Sequence, residues 1–134
     1  MSENLDLVRS LRAAWDRGDF SATDWADCEI EYVIVDGPTP RRSKGMAGMA
    51  KCWREFLADW QDWQAQTTEV RELDSEQVLA LVDLAGRHRA VGLDVSQLGS
   101  TRGANLFHVR GRKVTKFVIY LDRDRALADL GLKD

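Results

Sequence analysis

Apolar and polar positions alternate along this chain with two different periods. In the stretches 4–17 and 45–60, apolar residues recur every three or four positions, which predicts two amphipathic helices. The second stretch carries a continuous apolar face about four turns long, suited to lie on a sheet. Ser2 or Asn4 can cap the first helix, and a short helical turn is expected around 20–25.

Alternation with a period of two predicts strands. In the stretch 29–36, Ile30, Tyr32, Ile34 and Asp36 fall on one face. Further strands are predicted at 61–72, at 76–84, and from 93 to 98, with a hairpin tip at 85–92. The stretch 76–84 is apolar on both faces apart from one aspartate, so we expect both of its faces to be covered.

The C-terminal part is predicted to be a β-hairpin followed by a short helix. Strands at 103–110 and 113–121 flank Arg110-Gly111-Arg112, which places a glycine where a tight hairpin turn needs positive φ. Helical spacing then returns, with Asp122 as a candidate cap and Gly131 as a natural stop.

This order of elements predicts an α+β fold. Consecutive strands joined by tight turns pair antiparallel, and the long helix must cover one face of the curved sheet. Such an arrangement leaves a cone with an apolar cavity, a common place for small-molecule sites. The length of 134 residues predicts one domain, 1–134.

Composition excludes several classes of protein. The net charge of −3 argues against a general nucleic-acid binder, and no apolar run approaches the roughly 18 residues that span a bilayer. The N-terminus lacks the layout of a signal peptide, and Cys28 and Cys52 are interpreted as reduced packing residues, so a cytoplasmic protein is expected. His88 and His108 are the only histidines, and no metal-ligand spacing is present, so neither a metal nor a cofactor is expected.

Four features together carry a resemblance to a known family. They are Trp15-Asp-Arg-Gly-Asp-Phe20 at the end of the first helix, the strand ending in Asp36 before a Pro/Gly loop and Lys44-Gly45, the hairpin LFHVRGRKV, and the ending VIYLDRDRALADLGL. Over about residues 4 to 132, the chain resembles the nuclear transport factor 2-like superfamily, and most of all its SnoaL-like and ketosteroid-isomerase-like branch. The resemblance implies a cone-shaped α+β barrel with three or four helices, usually dimeric through the outer sheet face.

The resemblance implies less about chemistry, because this scaffold hosts isomerases, cyclases, epoxide hydrolases, dehydratases and non-catalytic adapters. Asp36 falls where ketosteroid isomerases keep their general base, and Asn105 where they keep an aspartate that helps to stabilise the enolate oxygen. Leu11 and Leu57 stand where that family has tyrosines, so its strongest oxyanion donor is missing. A water-holding Asp–Arg–Asp set, as in the epoxide hydrolases, is not evident.

A carboxylate at an apolar pocket has a raised pKa and becomes a plausible base for a carbon acid beside a carbonyl. Asp36 is therefore the candidate base, with Asn105 and Tyr32 as candidate groups that polarise the carbonyl. The candidate substrate-binding residues are apolar and share the predicted inner face: Trp15, Ile34, Trp53, Phe56, Trp60, Phe107, Phe117, Ile119 and Leu121.

Each of these assignments has a structural alternative. Asp36 before Gly37-Pro38 can cap a turn, and Asn105 can bond a bulged backbone. Tyr32 and the tryptophans can be core residues, and His108 is expected on the outer sheet face. The basic clusters 41–44 and 87–89 are expected on loops, either solvated or rimming the pocket mouth.

The sequence thus supports two main hypotheses. The first is a cofactor-independent isomerase, cyclase or dehydratase that acts by proton transfer on a hydrophobic carbonyl compound. The second is a non-catalytic ligand-binding or protein-interaction module on the same fold, and epoxide hydrolysis is the least favoured alternative. The expected partners are a hydrophobic small molecule and a second copy of the chain, and neither nucleic acid nor a membrane.

Overall fold

Four helices and a six-stranded sheet make up the computed structural model, which describes residues 2–38, 40–98 and 101–133. The elements follow the order α1 (Glu3–Asp16), β1 (Ala26–Ile34), β2 (Arg41–Lys44), α2 (Met46–Asp59), β3 (Trp60–Glu72), β4 (Gln77–His88), α3 (Val95–Leu98), β5 (Arg102–Arg110), β6 (Lys113–Tyr120) and α4 (Arg123–Leu130). The predicted α+β class is therefore confirmed.

The sheet has the strand order β2-β1-β6-β5-β4-β3. Five strand pairs connect these six strands; β1 and β6 run parallel, and the other four pairs are antiparallel. The two edge strands β2 and β3 do not pair with each other, so the sheet is not closed. The parallel pair brings the end of β1 beside the end of β6, which positions the site described below.

The β5–β6 hairpin turns over two residues, Gly111 and Arg112, with φ angles of 57° and 65°. Two consecutive positive φ angles are the signature of a type I′ turn, whose twist matches that of the flanking strands. Arg110 and Lys113 pair directly across it, as the sequence predicted.

Both faces of the sheet bury apolar side chains. The inner face packs against α1 and α2, and its buried set includes Ile30, Tyr32 and Ile34 from β1. The outer face packs against the C-terminal helix through Ala126 and Leu127. Since both faces of β4 are covered, its apolar run is explained as predicted. The homodimer through the outer face stays a prediction.

Several predicted elements differ from the structure. No helical turn forms at 20–25, where only a turn precedes β1, and the strand predicted at 93–98 is a short helix, α3. β4 extends to His88, through the first half of the hairpin tip predicted at 85–92, and the turn itself lies at 89–91. The basic cluster 41–44 forms the edge strand β2, because pairing with β1 satisfies its backbone. The break expected around 99–103 lies partly outside the described residues.

Helix ends follow the predicted capping chemistry. The Ser2 hydroxyl accepts a hydrogen bond from the Leu5 backbone N–H, and Asp122 accepts one from the Asp124 N–H. Gly131 ends α4 in the left-handed conformation, as glycines at this position commonly do. Of the two cysteines, Cys52 is buried as expected, whereas Cys28 is exposed, so its assignment as a packing residue was wrong.

Candidate functional site

Asp36 lies two residues beyond the end of β1, not within the strand as the alternation predicted. Its Oδ1 atom accepts a hydrogen bond of 2.6 Å from the backbone N–H of Leu121, the residue that follows β6. Its Oδ2 atom is buried and has no hydrogen-bond partner among the described residues. One oxygen therefore anchors the side chain to the backbone of the segment that follows β6.

Burial raises the pKa of the Asp36 carboxyl above its ordinary value. The backbone N–H of Leu121, the positive charge of Arg125 and the backbone N–H of Asp122 oppose this rise without cancelling it. Desolvation is thus the dominant influence on Asp36. A carboxylate in this situation binds a proton more readily than an exposed one, which is the property that a general base needs.

A small cavity of about 130 Å³ opens beside Asp36. The residues that line it come from the loop after β1, from β3 and α3, from the segment joining β6 to α4, and from α4 itself: Asp36, Gly37, Pro38, Trp60, Val95, Leu121, Asp122 and Arg125. Sites for drug-sized ligands are usually about 300–1,000 Å³. The cavity therefore holds a small molecule, or only the reacting end of a larger one.

Trp60 is the aromatic residue among those that line this cavity. Its side chain is buried at 2% exposure, and its indole N–H has no hydrogen-bond partner among the described residues. Asp36 and Trp60 thus line the same cavity, and each carries one buried polar atom that lacks a partner in the described part of the chain. Arg125 adds a cation at the exposed side, where its Nε lies 4.0 Å from the Asp129 carboxylate.

Asn105 lies elsewhere, in a buried polar group that also contains Arg12, Asp16 and Thr67, hereafter the Arg12 cluster. The Asn105 amide oxygen accepts a hydrogen bond of 3.1 Å from Arg12 Nη1. Arg12 also donates to Thr67, to Asp16 and to the backbone carbonyl of Ala65. Asn105 is not among the residues that line the Asp36 cavity.

The Arg12 guanidinium is almost fully buried, at 4% exposure. Burial lowers its pKa, and the neighbouring Asp16 carboxylate opposes that shift. Sequence reasoning overlooked Arg12. The available signal was its spacing, because Arg12 stands four residues after Val8 and three before Trp15, on the inward face of α1.

Tyr32 points into the core, with its ring edge-on to Phe117 at a centroid distance of 5.7 Å. Its hydroxyl is buried without a partner among the described residues, and burial raises its pKa strongly. Tyr32 does not line the Asp36 cavity. The structure therefore does not bring Asp36, Asn105 and Tyr32 together around one space.

The apolar candidates mostly pack against one another. Phe107 and Phe117 stack with their centroids 4.8 Å apart, and Trp15 contacts both rings. Trp53 stacks on Phe56 at 5.6 Å, while Ile34 and Ile119 are buried in the same core. Of the predicted binding residues, only Trp60 and Leu121 line the cavity beside Asp36.

Comparison with solved structures identifies the architecture. An NTF2-like protein from Burkholderia thailandensis matches over 89% of this chain and 90% of that chain, with a TM-score of 0.73 and 18% identity. A candidate SnoaL-like polyketide cyclase from Mesorhizobium loti matches over 86% and 96%, with a TM-score of 0.70 and 13% identity. This chain has the NTF2-like fold. No model of a protein family matches the chain, and no curated protein matches it in sequence.

The NTF2-like fold extends to neighbours of different descriptions. A protein with a ketosteroid isomerase-like fold from Catenulispora acidiphila, solved in complex with trimethylamine, matches over 99% of this chain and 96% of that chain. Its TM-score is 0.63, and its sequence identity is 16%. The resemblance seen in the sequence is confirmed at the level of the fold.

Two further features concern metals and membranes. Among the described residues, no group of three or more His, Cys, Asp or Glu side chains could hold a metal ion. His88 does not lie on the predicted loop; it is buried at 3% exposure against the Trp60 ring. His108 is half-buried, and it comes two positions after Leu106 in the alternation that places Ala104 and Leu106 on the outer sheet face, as predicted. None of the described helices is long and apolar enough to cross a membrane.

Proposed function

We propose that this protein is a cofactor-independent enzyme that transfers protons on a carbonyl compound, as an isomerase, cyclase or dehydratase does, with Asp36 as the general base. Two observations carry the proposal: Asp36 lines a cavity, and its Oδ2 atom is buried without a hydrogen-bond partner among the described residues. The solved structures described as polyketide cyclases or as ketosteroid isomerase-like support the same class of chemistry.

The proposed step is proton abstraction from a carbon next to a carbonyl group. The Asp36 carboxylate takes the proton, and the C–H electron pair moves into the new carbon–carbon double bond while the carbonyl oxygen gains negative charge. Return of the proton from Asp36 to another carbon of the same conjugated system completes an isomerisation and restores the carboxylate. A raised pKa favours this role, because the base must hold the proton during the intermediate.

The cavity limits the substrate. Its 130 Å³ correspond to about four water molecules at liquid density, so the carbonyl-bearing end of the substrate fits inside. Pro38, Val95 and Leu121 make apolar walls for this part of the molecule. The predicted hydrophobic ligand would extend past Arg125, the most exposed position of the lining.

The Arg12 cluster does not favour epoxide hydrolysis. That reaction needs polar groups left free to hold and activate a water molecule. The guanidinium of Arg12 already donates to four protein acceptors, and Asp16 accepts from both Arg12 and Thr67. Among the described residues, this cluster therefore serves as a link between α1 and the sheet.

The test uses two small ketones that fit the cavity. Isomerisation of 3-cyclopenten-1-one to its conjugated isomer is followed by ultraviolet absorbance, and binding of cyclopentanone by NMR. We expect Asp36→Asn to lower the isomerisation rate about 100-fold or more, because general-base catalysis typically contributes about 10²–10⁴. The matched control is Asp124→Asn, which removes an exposed carboxylate from the adjacent helix and should leave the rate unchanged.

The same experiment also distinguishes the alternative function, a non-catalytic binding module. A rate that is equal in wild type and Asp36→Asn contradicts the proton-transfer proposal. Binding of cyclopentanone without any enzymatic rate would instead support the non-catalytic binding module. Loss of the rate in Asp124→Asn would show that the effect of Asp36→Asn is not specific to the cavity.

A further inference from the structure

We infer that the indole N–H of Trp60 holds the carbonyl oxygen of the substrate while Asp36 removes the proton. This inference rests on the proposed function and names its second catalytic group. Negative charge that develops on an oxygen during proton abstraction needs a positioned donor, usually the largest single contribution to the rate. Neither Tyr32 nor Asn105 lines the cavity that contains the free oxygen of Asp36.

The donors in the described cavity wall are few. Among the lining side chains, only those of Trp60 and Arg125 carry N–H groups. The Arg125 side chain is 51% exposed and faces Asp129, so water and a carboxylate already compete for it. The Trp60 side chain is shielded from solvent, where a hydrogen bond to an oxyanion is stronger than in water.

The unpartnered state of this N–H is unusual for a buried tryptophan. The indole N–H of Trp25, by comparison, donates to the backbone carbonyl of Ala22 at 2.8 Å. A buried donor without a partner costs about 1–3 kcal/mol. A ligand oxygen that accepts a hydrogen bond from Trp60 would remove that cost.

The Trp60 ring is held in place by neighbours on several sides. The ring centroids of Phe56, Trp63 and His88 lie 6.0, 4.9 and 5.1 Å from it. Its backbone N–H donates to the carbonyl of Leu57 at the end of α2. A donor fixed in this way needs little reorganisation during the reaction, which is the condition for effective stabilisation of a transition state.

This arrangement defines the chemical class of the substrate. The molecule must present a carbonyl oxygen to the indole N–H and an acidic C–H to Asp36, within a cavity whose other lining is largely apolar. A compact uncharged ketone meets these requirements. A carboxylate substrate does not, because Asp36 and Asp122 both line the cavity.

The direct test is a titration of wild-type protein with cyclopentanone, followed through the indole cross-peaks of its five tryptophans in ¹H–¹⁵N spectra. Trp60→Phe assigns the Trp60 signal, or triple-resonance data do so if that variant does not fold. We expect the Trp60 indole proton to shift downfield while the Trp25 indole signal stays unchanged. The backbone N–H signal of Leu121 reports independently whether the ketone occupies the cavity.

Kinetics on 3-cyclopenten-1-one provide the second readout. We expect Trp60→Phe to lower kcat about 100-fold, the lower end of the range of about 10²–10³ for loss of one oxyanion donor. The Asp36 titration should persist in the pH profile of that variant. Trp25→Phe is the matched control, because it also removes a buried indole N–H, but Trp25 does not line the cavity and its ring packs against Trp15 and Phe117 instead of Trp60.

The outcomes separate this inference from the proposed function. If Leu121 shifts and the Trp60 indole does not, or if Trp60→Phe and Trp25→Phe have equal kcat, the role of Trp60 is wrong while Asp36 can still be the base. If the Trp60 indole shifts but Asp36→Asn keeps the full rate, the donor is right and the base is wrong. If no signal shifts, both the donor and the substrate class are contradicted.

Discussion

The Arg12 cluster and the Asp36 cavity are two buried polar regions of one small protein, and they differ in how completely their hydrogen bonds are formed. In the Arg12 cluster, one guanidinium connects α1 with β3 and β5 through three acceptors and also donates to Asp16 on α1 itself. In the Asp36 cavity, a carboxylate oxygen and an indole N–H remain without partners among the described residues. Hydrogen bonds thus offset the cost of burying polar groups in the Arg12 cluster, whereas in the Asp36 cavity part of that cost is not offset by the described residues.

This difference distinguishes a polar cluster that supports the fold from a cavity that is a candidate binding site. Buried polar groups in folded proteins are nearly always hydrogen-bonded, so a satisfied network adds rigidity without leaving a group for a ligand. Residues that line a cavity and have an unpaired donor or acceptor can still form hydrogen bonds with a ligand. The Asn105 position, which the family resemblance connects with catalysis, belongs to the satisfied region, whereas Asp36 belongs to the unsatisfied one.

Removal of Arg12 should produce the largest loss of stability. We expect Arg12→Met to lower the free energy of unfolding by about 3 kcal/mol, because breaking a buried ion pair costs about 3–5 kcal/mol and Asp16 is partly solvated. Urea denaturation measures the change, with exposed Arg9→Met on the same helix as control. A loss in Arg12→Met no larger than that in Arg9→Met would show that the cluster does not hold α1 on the sheet.

Two tyrosines test how much a single hydrogen bond of a buried hydroxyl contributes to the free energy of unfolding. The hydroxyl of Tyr32 has no partner in the described part of the chain, whereas that of Tyr120 donates to Asp129 at 3.1 Å. Burial and the Asp129 carboxylate raise the pKa of Tyr120 to about 12. We expect Tyr32→Phe to raise the free energy of unfolding by about 1 kcal/mol and Tyr120→Phe to lower it by about 1 kcal/mol. Equal destabilisation of both variants would mean that the Tyr32 hydroxyl has a partner after all.

The smallest expected effect concerns the pH dependence of stability at Asp36, because opposing influences offset much of its desolvation. A carboxyl whose pKa is higher in the folded than in the unfolded state costs stability as the pH rises above its unfolded value of about 3.8. We expect Asp36→Asn to gain stability relative to wild type between pH 3 and pH 7. Paired urea denaturations at several pH values measure this gain, with Asp124→Asn as control.

A constant difference between Asp36→Asn and wild type across that range would contradict a raised pKa. A growing advantage of wild type with pH would mean that the Asp36 pKa is lowered. In that case the backbone N–H groups of Leu121 and Asp122 would dominate, and Asp36 would be a turn-capping residue. Carbon-detected NMR titration of the Asp36 carboxyl gives the same answer directly.

Elements with strong local signals were predicted best. The apolar stripes of α1 and α2, the Gly111-Arg112 turn and the caps of α4 depend on residues close together in sequence, and the structure agrees with each. Two short elements were missed for the same reason. β2 becomes a strand only because β1 lies beside it, and α3 forms where β4 offers it a surface. Both depend on contacts that the local pattern does not contain.

The residues of the candidate site show the same difference between local signals, which were predicted, and long-range contacts, which were not. The sequence pointed to Asp36 at the end of β1 and to Trp60 as an aromatic wall, and both line the cavity. It did not reveal that Asn105 would be bonded by Arg12, or that the predicted pocket aromatics would stack on one another. Periodicity reports which face of an element a residue occupies, but not which residues from distant elements fill the space between those faces.

By itself, the sequence determined the α+β class, the two long amphipathic helices and the C-terminal hairpin with its capped helix, because periodicity, turn residues and caps act over a few positions. Only the tertiary structure decided which buried polar groups find partners. Arg12, 93 residues away from Asn105 along the chain, satisfies the Asn105 amide oxygen, while Asp36 Oδ2 and the Trp60 N–H are left unpaired. Long-range packing sets these pairings, which is why local patterns in the sequence do not contain them.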